Sequence, residues 1–184
     1  MNKVLVPLAD GCEEMEAVTI VDVLRRAGFT VDMVGLQPGV VTASRGVRLV
    51  PDADWPAELP GGYAAIVLPG GGPGTQRLME DVRVLEAVRS FSAAGRTVAA
   101  ICAAPKVLHR AGVLRGKSFT CYPGVEAALD GAHHRAEAVV VDGGVITGCG
   151  PGTSLEFALT LVRVLAGPAK AREVADGLRV AWSG

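Results

Sequence analysis

Short buried strands and longer amphipathic helices alternate along this chain, and the alternation constrains its fold more than any other feature. Strands are predicted where short apolar runs occur, at residues 3–8, 30–35, 64–68 and 97–101. Between the strands, apolar residues recur at helical spacing, as do Met15, Val18, Val21 and Leu24. A continuous apolar strand is typical of a parallel sheet that is covered on both faces. The chain is therefore predicted to be an α/β protein in which helices enclose a mostly parallel sheet.

Weaker local signals predict the remaining elements. Residues 45–50 are predicted to form a short strand or one arm of a hairpin, and residues 138–141 and 145–147 to form a hairpin. The sequence Thr-Ser-Leu-Glu at 153–156 spells a capping box, which opens a helix that the Gly-Pro pair at 167–168 closes.

Length and charge exclude several classes of protein. The 184 residues suit one domain, predicted to span 1–184, and the net charge of −1 lacks the basic surface that a nucleic acid requires. No apolar run approaches the roughly 20 residues of a membrane span. Acidic residues from Asp10 onwards interrupt the first apolar stretch too early for a signal peptide, so the cytoplasm is the expected location.

The cysteines and histidines do not show the spacing of a metal site. There is no C-x-x-C pair among Cys12, Cys102, Cys121 and Cys149. His109, His133 and His134 do not complete a zinc pattern, and the last two are interpreted as a surface turn. No metal is predicted, and the cysteines are expected to be free thiols.

Parallel sheets carry their sites at the carboxyl ends of their strands, so the loops that follow the strands are the candidates for chemistry. Four loops are expected to converge there, beginning at Asp10, Pro69, Cys102 and Gly148. Cys102 lies on a tight turn between a strand and a helix, as a nucleophile does in a nucleophile elbow. The free N–H groups and dipole of the helix are expected to stabilise its thiolate, although a cysteine packed at a strand end fits the spacing equally well.

A carboxyl group and a glycine-rich loop accompany this cysteine. Glu16 shares a helix face with Ile20 and Val23, which indicates partial burial, and a buried carboxyl group tends to keep its proton. It could then pass a proton to or from the thiol. Glu13 belongs to the same acidic turn. The loop at 70–74 is either a flexible turn or a set of N–H groups that bind an oxyanion.

Three rival sites are set aside. Residues 111–118 nearly spell a phosphate-binding loop, but Ala111 replaces its first glycine and the segment follows a helix. A flavin phosphate would be repelled by the acidic loop after the first strand. The strand that ends at Leu68 is followed by Pro-Gly-Gly-Gly, where a phospho-acceptor domain requires an aspartate.

Taken together, these loops resemble the ThiJ/PfpI superfamily, in its protein deglycase branch. The resemblance rests on GCEEME at 11–16, LRRAG at 24–28, LPGG at 68–71, AAICAAP at 99–105 and GPGTSLEFAL at 150–159. It implies a flavodoxin-like three-layer sandwich, a homodimer, and no cofactor. It also implies that Cys102 is the nucleophile, that Glu16 is hydrogen-bonded to it, and that Gly71 and Ala103 supply the oxyanion pocket.

The same resemblance assigns further residues to the pocket or its edge. These are Glu13, Arg26, Arg45, Tyr122 and Pro151. The branch often has a histidine at the position of Tyr122, and a tyrosine, with a pKa near 10, is a poorer proton shuttle. Some members have an arginine at the position of Cys149. Ala103 stands where the protease branch has a histidine, so peptidase activity is not expected.

The resemblance implies a cysteine-dependent protein deglycase or glutathione-independent glyoxalase, which acts on methylglyoxal, glyoxal and their adducts. The alternative is a non-enzymatic sensor of oxidative stress, or a chaperone, that uses the same cysteine. A third interpretation, an amidase or other hydrolase, requires a base besides Glu16, for which the sequence offers no clear candidate.

Overall fold

The computed structural model describes residues 2–56, 59, 61–182 and 184. Its strands are β1 (Lys3–Leu8), β2 (Thr30–Gly35), β3 (Val41–Thr42), β4 (Arg48–Leu49), β5 (Ala53–Asp54), β6 (Tyr63–Leu68), β7 (Thr97–Ile101), β8 (Ser118–Phe119), β9 (His133–His134), β10 (Val139–Asp142) and β11 (Val145–Gly148). Its helices are α1 (Glu14–Arg26), α2 (Gly72–Glu80), α3 (Val82–Ala93), α4 (Pro105–Arg110), α5 (Ser154–Ala166) and α6 (Pro168–Leu178). Short 3₁₀ turns occupy Glu126–Ala128 and Pro151–Thr153.

A seven-stranded sheet forms the centre of the described structure, in the order β10-β11-β7-β6-β1-β2-β5. Neighbouring strands run parallel except for β10, which pairs antiparallel with β11 as the second arm of a hairpin. This is the flavodoxin-like, mostly parallel α/β fold. The hairpin adds an edge strand that needs no helical crossover, because its two arms follow one another in the chain.

Helices cover both faces of the sheet and divide the core into two halves. On one face, Val4, Val6 and Leu8 of β1 pack with the apolar sides of α1, α5 and α6. On the other face, Leu5 of β1 packs with apolar residues of α2, α3 and α4. Successive side chains of a strand point to opposite faces, so an unbroken apolar strand is what a doubly covered sheet requires.

Most of the predicted elements are confirmed, and two local predictions are wrong. The helix at α5 begins where it was predicted, but the Thr153 side chain does not cap it. Instead, the Thr153 hydroxyl donates to the Gly150 carbonyl at 2.8 Å and so closes the preceding 3₁₀ turn. His133 and His134 are exposed, but they form β9, which pairs with β8 instead of turning.

None of the described helices is long and apolar enough to cross a membrane.

The burial pattern of α5 predicts that one substitution lowers stability more on the core-facing side of the helix than on its exposed side. Val162 is fully buried and Val164 is 41% exposed, so the same truncation samples core and surface on one helix. We expect Val162→Ala to lower the free energy of unfolding by roughly 2 kcal/mol, through lost burial and the cavity that remains. Val164→Ala should change it by less than about 0.5 kcal/mol. Urea denaturation measures both, and equal losses would contradict the assigned packing.

Candidate active site

The four loops predicted to converge do meet at the carboxyl edge of the sheet. The loop after β1 is joined to the loop after β6 by a hydrogen bond from the Glu13 N–H to the Gly70 carbonyl, at 3.0 Å. The turn after β7 is joined to the end of β11, because the Cys102 N–H donates to the Gly148 carbonyl at 2.9 Å. These bonds fix the relative positions of side chains that are far apart in the sequence.

The meeting point lies where the connections from two adjacent strands diverge. The chain leaves β1 for α1 on one face, and it leaves the neighbouring β6 for α2 on the other face. This divergence opens a crevice at the carboxyl ends of the strands, where ligands bind in open parallel sheets. Glu16 enters the crevice from the first turn of α1, and Cys102 enters it from the end of β7.

Glu16 is a carboxyl group completely removed from solvent. Its Oε2 accepts a hydrogen bond of 2.7 Å from the Gly70 N–H, and its Oε1 has no regular hydrogen-bond partner among the described residues. Burial raises the pKa of Glu16 to about 7, although the Gly70 N–H opposes the rise. The prediction that this group is buried and tends to keep its proton is therefore confirmed.

Cys102 occupies a strained turn with φ of 63°, in the left-handed region that residues with a side chain rarely adopt. The turn separates β7 from α4, as predicted for a nucleophile on an elbow. The side chain is 7% exposed and lies beside the Glu16 carboxyl group. Cys102 is therefore a buried thiol with little contact with solvent.

The electrostatics of Cys102 differ from the expectation of a stabilised thiolate. Burial and the Glu16 carboxylate raise the pKa of the thiol to about 12, although nearby N–H groups lower it. The predicted effect of the helix is small because α4 begins only at Pro105, three residues beyond the cysteine. When Glu16 is protonated its repulsion disappears and the pKa of Cys102 falls, so the two groups behave as one coupled acid.

Two backbone N–H groups, those of Gly71 and Ala103, approach the Cys102 sulfur and favour its thiolate. Ala103 directly follows the cysteine. Gly71 has φ of 88° at the start of α2, and an added Cβ would lie 2.6 Å from the Glu13 nitrogen. Glycine at this position is therefore required both by conformation and by space. The structure brings together the four residues on which the predicted chemistry depends.

Known proteins are similar to this chain both in sequence and in fold. Residues 2–164 match the DJ-1/PfpI family. The chain belongs to that family. Protein dj-1beta of Drosophila melanogaster is 44% identical over 182 residues, which cover 97% of each chain. The crystal structure of Drosophila DJ-1beta is similar to this structure with a TM-score of 0.95, at 43% identity, over 98% of this chain and 99% of that one.

Two further relatives carry names that bear on chemistry. The glutathione-independent glyoxalase DJR-1.2 of Caenorhabditis elegans is 34% identical over 180 residues, covering 97% of this chain and 95% of that protein. Oxidized Toxoplasma gondii DJ-1 has a TM-score of 0.94 and 35% identity, over 99% of this chain and all of the other. The ThiJ/PfpI resemblance predicted from the sequence is confirmed.

Three other predicted residues of this DJ-1/PfpI chain differ in how they relate to the cysteine. Glu13 accepts a 2.8 Å hydrogen bond from the Glu16 N–H and so fixes the start of α1. Tyr122 donates its N–H to the Cys102 carbonyl at 2.9 Å, while its side chain is 51% exposed. Pro151 begins the 3₁₀ turn that follows the loop after β11. Tyr122 thus reaches the cysteine through its backbone, which its side-chain chemistry could not predict.

The two predicted arginines do not reach the cysteine within this chain. Arg26 lies at the far end of α1, about 15 Å along the helix from Glu16, and forms an exposed ion pair with Asp22 at 2.7 Å. Arg45 is exposed between β3 and β4, where its N–H donates to Glu14 at 2.8 Å. Neither arginine is placed beside Cys102 or Glu16 within one copy of the chain, and their position near the interface and pocket of a homodimer stays a prediction.

Sequence reasoning missed the role of Gly70. An added Cβ there would lie 2.6 Å from the Cys102 Cβ and 2.8 Å from Glu16 Oε2, so the lack of a side chain at Gly70 leaves the room in which the two functional side chains meet. The paired glycines after Leu68 were a signal, but the sequence does not say which of them a side chain would obstruct. Only the positions of α1 and β7 relative to this loop reveal it.

The remaining buried thiols are poorly suited to nucleophilic chemistry. Burial and the charge of Glu14 raise the pKa of Cys12 to about 12, and burial and Glu126 raise the pKa of Cys121 to about 12. The pKa of Cys102 is raised as far, so what distinguishes Cys102 is the pair of N–H groups from Gly71 and Ala103 that favour its thiolate.

The raised pKa of Glu16 predicts a pH-dependent gain from its neutral isostere. The folded state binds a proton more tightly than the unfolded chain, so burial of Glu16 costs little at low pH and more as pH rises through about 7. Relative to wild type, Glu16→Gln should gain about 2–3 kcal/mol of unfolding free energy between about pH 5 and pH 8. Urea denaturation at each pH measures this difference. Glu86→Gln, an exposed change on α3, should show no such trend.

The space that Gly70 leaves for Cys102 and Glu16 predicts different effects for the same substitution at two glycines of one loop. Gly70→Ala should lower stability by roughly 1–3 kcal/mol through overpacking, and it should alter the alkylation rate of Cys102. Gly72→Ala places its methyl group in open space at the start of α2, where alanine favours a helix. Denaturation and timed alkylation compare them. Equal stabilities and equal alkylation rates in the two variants would contradict the claim that Gly70 must lack a side chain.

Proposed function

We propose that this member of the DJ-1/PfpI family is a cysteine-dependent, glutathione-independent glyoxalase, which converts methylglyoxal to lactate and glyoxal to its hydroxy acid. The observation that carries the proposal is the buried pair of Cys102 and Glu16, with the N–H groups of Gly71 and Ala103 aimed at the sulfur. The name of the C. elegans relative supports the same reaction class.

The first step of the proposed reaction is the formation of a hemithioacetal. The Cys102 thiolate adds to the aldehyde carbon, a new C–S bond forms, and the C=O electron pair moves to oxygen. Gly71 and Ala103, freed from the sulfur charge, donate to that oxygen and stabilise it. The proton of the thiol passes to Glu16 in this step, and the raised pKa of Glu16 makes it a better acceptor than an ordinary carboxylate.

The second step moves hydrogen between the two carbonyl carbons. Glu16 first gives the thiol proton to the hemithioacetal oxygen and so becomes a carboxylate. It then removes the proton from the former aldehyde carbon, which gives an enediolate. The hydroxyl proton moves to the former ketone oxygen and Glu16 returns the carbon proton to the neighbouring carbon, giving a thioester of lactate. Water then hydrolyses the thioester, and lactate and the Cys102 thiol are released. The sum is methylglyoxal plus water giving lactic acid, so the reaction consumes no oxidant, reductant or organic cofactor.

Removal of methylglyoxal or glyoxal adducts from thiols and amines extends the same chemistry. An early adduct is a hemithioacetal or hemiaminal, in equilibrium with free aldehyde that Cys102 captures. Cys102 is only 7% exposed, and a buried thiol is reached more readily by a small aldehyde than by a side chain of a folded protein. We therefore propose that protein deglycase activity, where it occurs, proceeds through the released aldehyde.

A second copy of the chain is the proposed partner. Met15 and Val18 on α1 are 59% and 50% exposed, although they flank the fully buried Glu16. Covering these side chains would shield the start of the helix that carries the catalytic carboxyl group.

The described cysteines are free thiols, which supports the cytoplasm, a reducing compartment, as the place of action.

The second candidate function is sensing of oxidative stress through the same thiol. The oxidized Toxoplasma structure favours it, because a close structural relative exists in an oxidized form. Peroxide would take Cys102 through sulfenic to sulfinic acid, with water as the other product at each step. The N–H groups of Gly71 and Ala103 that favour a thiolate would favour a sulfinate as well. A sensor of this kind reacts once for each chain, whereas a glyoxalase turns over.

The glyoxalase proposal predicts lactate formation from methylglyoxal in the absence of glutathione. Turnover should fall to background in Cys102→Ser, because the nucleophile is lost. It should fall about 100-fold or more in Glu16→Gln, because the group that moves the proton is lost. Chiral analysis of the lactate product follows the reaction, and circular dichroism verifies that each variant is folded.

Cys149→Ser is the matched control, since it removes a partly exposed thiol outside the pair. It should turn over like wild type. No lactate from a wild-type protein whose Cys102 is shown to be reduced would contradict the proposal. Stoichiometric conversion of Cys102 to sulfinic acid by peroxide, without turnover, would then favour the sensor.

A further inference from the structure

Three potential metal ligands meet outside the active site. Cys121, Glu126 and His134 each place one donor atom so that all three lie within 4.8 Å of one another. The Cys121 sulfur is 3.8 Å from Glu126 Oε2. The sequence hides this cluster, because its members come from the end of β8, a 3₁₀ turn and β9. The absence of a zinc spacing in the sequence therefore does not reveal that His134 lies near a cysteine and a glutamate in the folded chain.

The distances suit a tetrahedral ion. With a Zn–S bond of about 2.3 Å and a Zn–O bond of about 2.0 Å, tetrahedral angles place sulfur and oxygen about 3.5 Å apart. The observed 3.8 Å is close to that separation. Glu126 and His134, both in the described part of the chain, do not form an ion pair within 4.0 Å, so these donors face one another across a gap.

The surrounding backbone holds the donors in place. β8 and β9 pair in register at Phe119 and His134, and the rings of these two residues are 5.5 Å apart. Glu126 opens a 3₁₀ turn. The residue before it, Val125, donates its N–H to the Tyr122 carbonyl at 3.0 Å. The position of the His134 ring and that of the Glu126 carboxyl group are thus set by different elements that converge on one thiol.

Burial is graded across the cluster in the way an ion site requires. Cys121 is 1% exposed, Glu126 is partly buried, and His134 is exposed. An ion could therefore enter from the side of His134 and reach the thiol without any opening of the core. The exposed side also leaves a fourth coordination position for water.

We propose that Cys121, Glu126 and His134 bind a divalent transition-metal ion of the zinc class, with water as the fourth ligand. Thiolate, imidazole and carboxylate are the donor types that zinc accepts, and three protein ligands with one open position are an established zinc geometry. Cys121 loses its proton to solvent as the metal–sulfur bond forms. No electron transfer is involved.

The ion would fix a segment that lines the active site. Tyr122 directly follows Cys121 and donates its N–H to the Cys102 carbonyl at 2.9 Å. A metal bound at Cys121 would therefore restrain Tyr122, whose N–H contacts the turn that carries Cys102. The metal site itself does not depend on the proposed glyoxalase reaction, since it shares no side chain with the pair of Cys102 and Glu16.

Cobalt(II) is the probe, because a cobalt–thiolate bond gives a charge-transfer band that reports sulfur coordination. Reduced, metal-free protein titrated with CoCl₂ should develop this band at one ion per chain, and ZnCl₂ should abolish it. Cys121→Ser should lose the band. Glu126→Gln and His134→Gln should raise the cobalt Kd at least about ten-fold, since each removes a ligand.

His133→Gln and Cys102→Ser are the controls, and both should bind cobalt like wild type. His133 is an exposed neighbour outside the cluster. Retention of the band in Cys121→Ser, its loss in Cys102→Ser, or an unchanged Kd in His134→Gln would overturn the proposal. So would the absence of a band in wild type. His134 is exposed, so its variant decides the question even if loss of the buried Cys121 prevents folding.

Discussion

A carboxyl group with no contact to water is the constraint on which the rest of this structure depends. Burial of Glu16 is tolerated because the Gly70 N–H binds one of its oxygens and because the group keeps its proton near neutral pH. Both conditions hold only if α1, the loop after β6 and the turn after β7 are fixed relative to one another. The hydrogen bond from Glu13 to Gly70 and the lack of side chains at Gly70 and Gly71 provide that fixed arrangement.

The strained cysteine depends on the same arrangement. A left-handed conformation at a residue with a side chain costs roughly 1–2 kcal/mol, so neighbouring contacts must maintain it. The Cys102 N–H is bound to Gly148 and its carbonyl to Tyr122, which leaves the turn little freedom to relax. The sulfur is thereby directed at the N–H groups of Gly71 and Ala103 and at Glu16. Strain at Cys102 and burial of Glu16 are two consequences of one rigid crevice.

The sequence predicts the layers and the loops well, because periodicity reports burial directly. The strands at residues 3–8, 30–35 and 97–101 and the convergence of the four loops follow from it. Periodicity does not report which residues of different elements come into contact. The need for a glycine at position 70 and the meeting of Cys121 with His134 could therefore not be predicted. The N–H groups that favour the Cys102 thiolate follow from the predicted turn, but the sequence does not reveal the depth of burial or the nearby carboxylate, which raise the pKa of the thiol.

The state of one proton determines which chemistry the crevice favours. With Glu16 ionised, its charge holds the proton on the sulfur, and Cys102 is a buried, unreactive thiol. With the proton on Glu16, the repulsion disappears and the N–H groups of Gly71 and Ala103 oppose the effect of burial, so a thiolate that could add to an aldehyde or be oxidised forms more readily. Addition returns the thiolate after each cycle, whereas oxidation to sulfinate does not. The two proposed activities, glyoxalase and sensor, would therefore require the same protonation state of the pair.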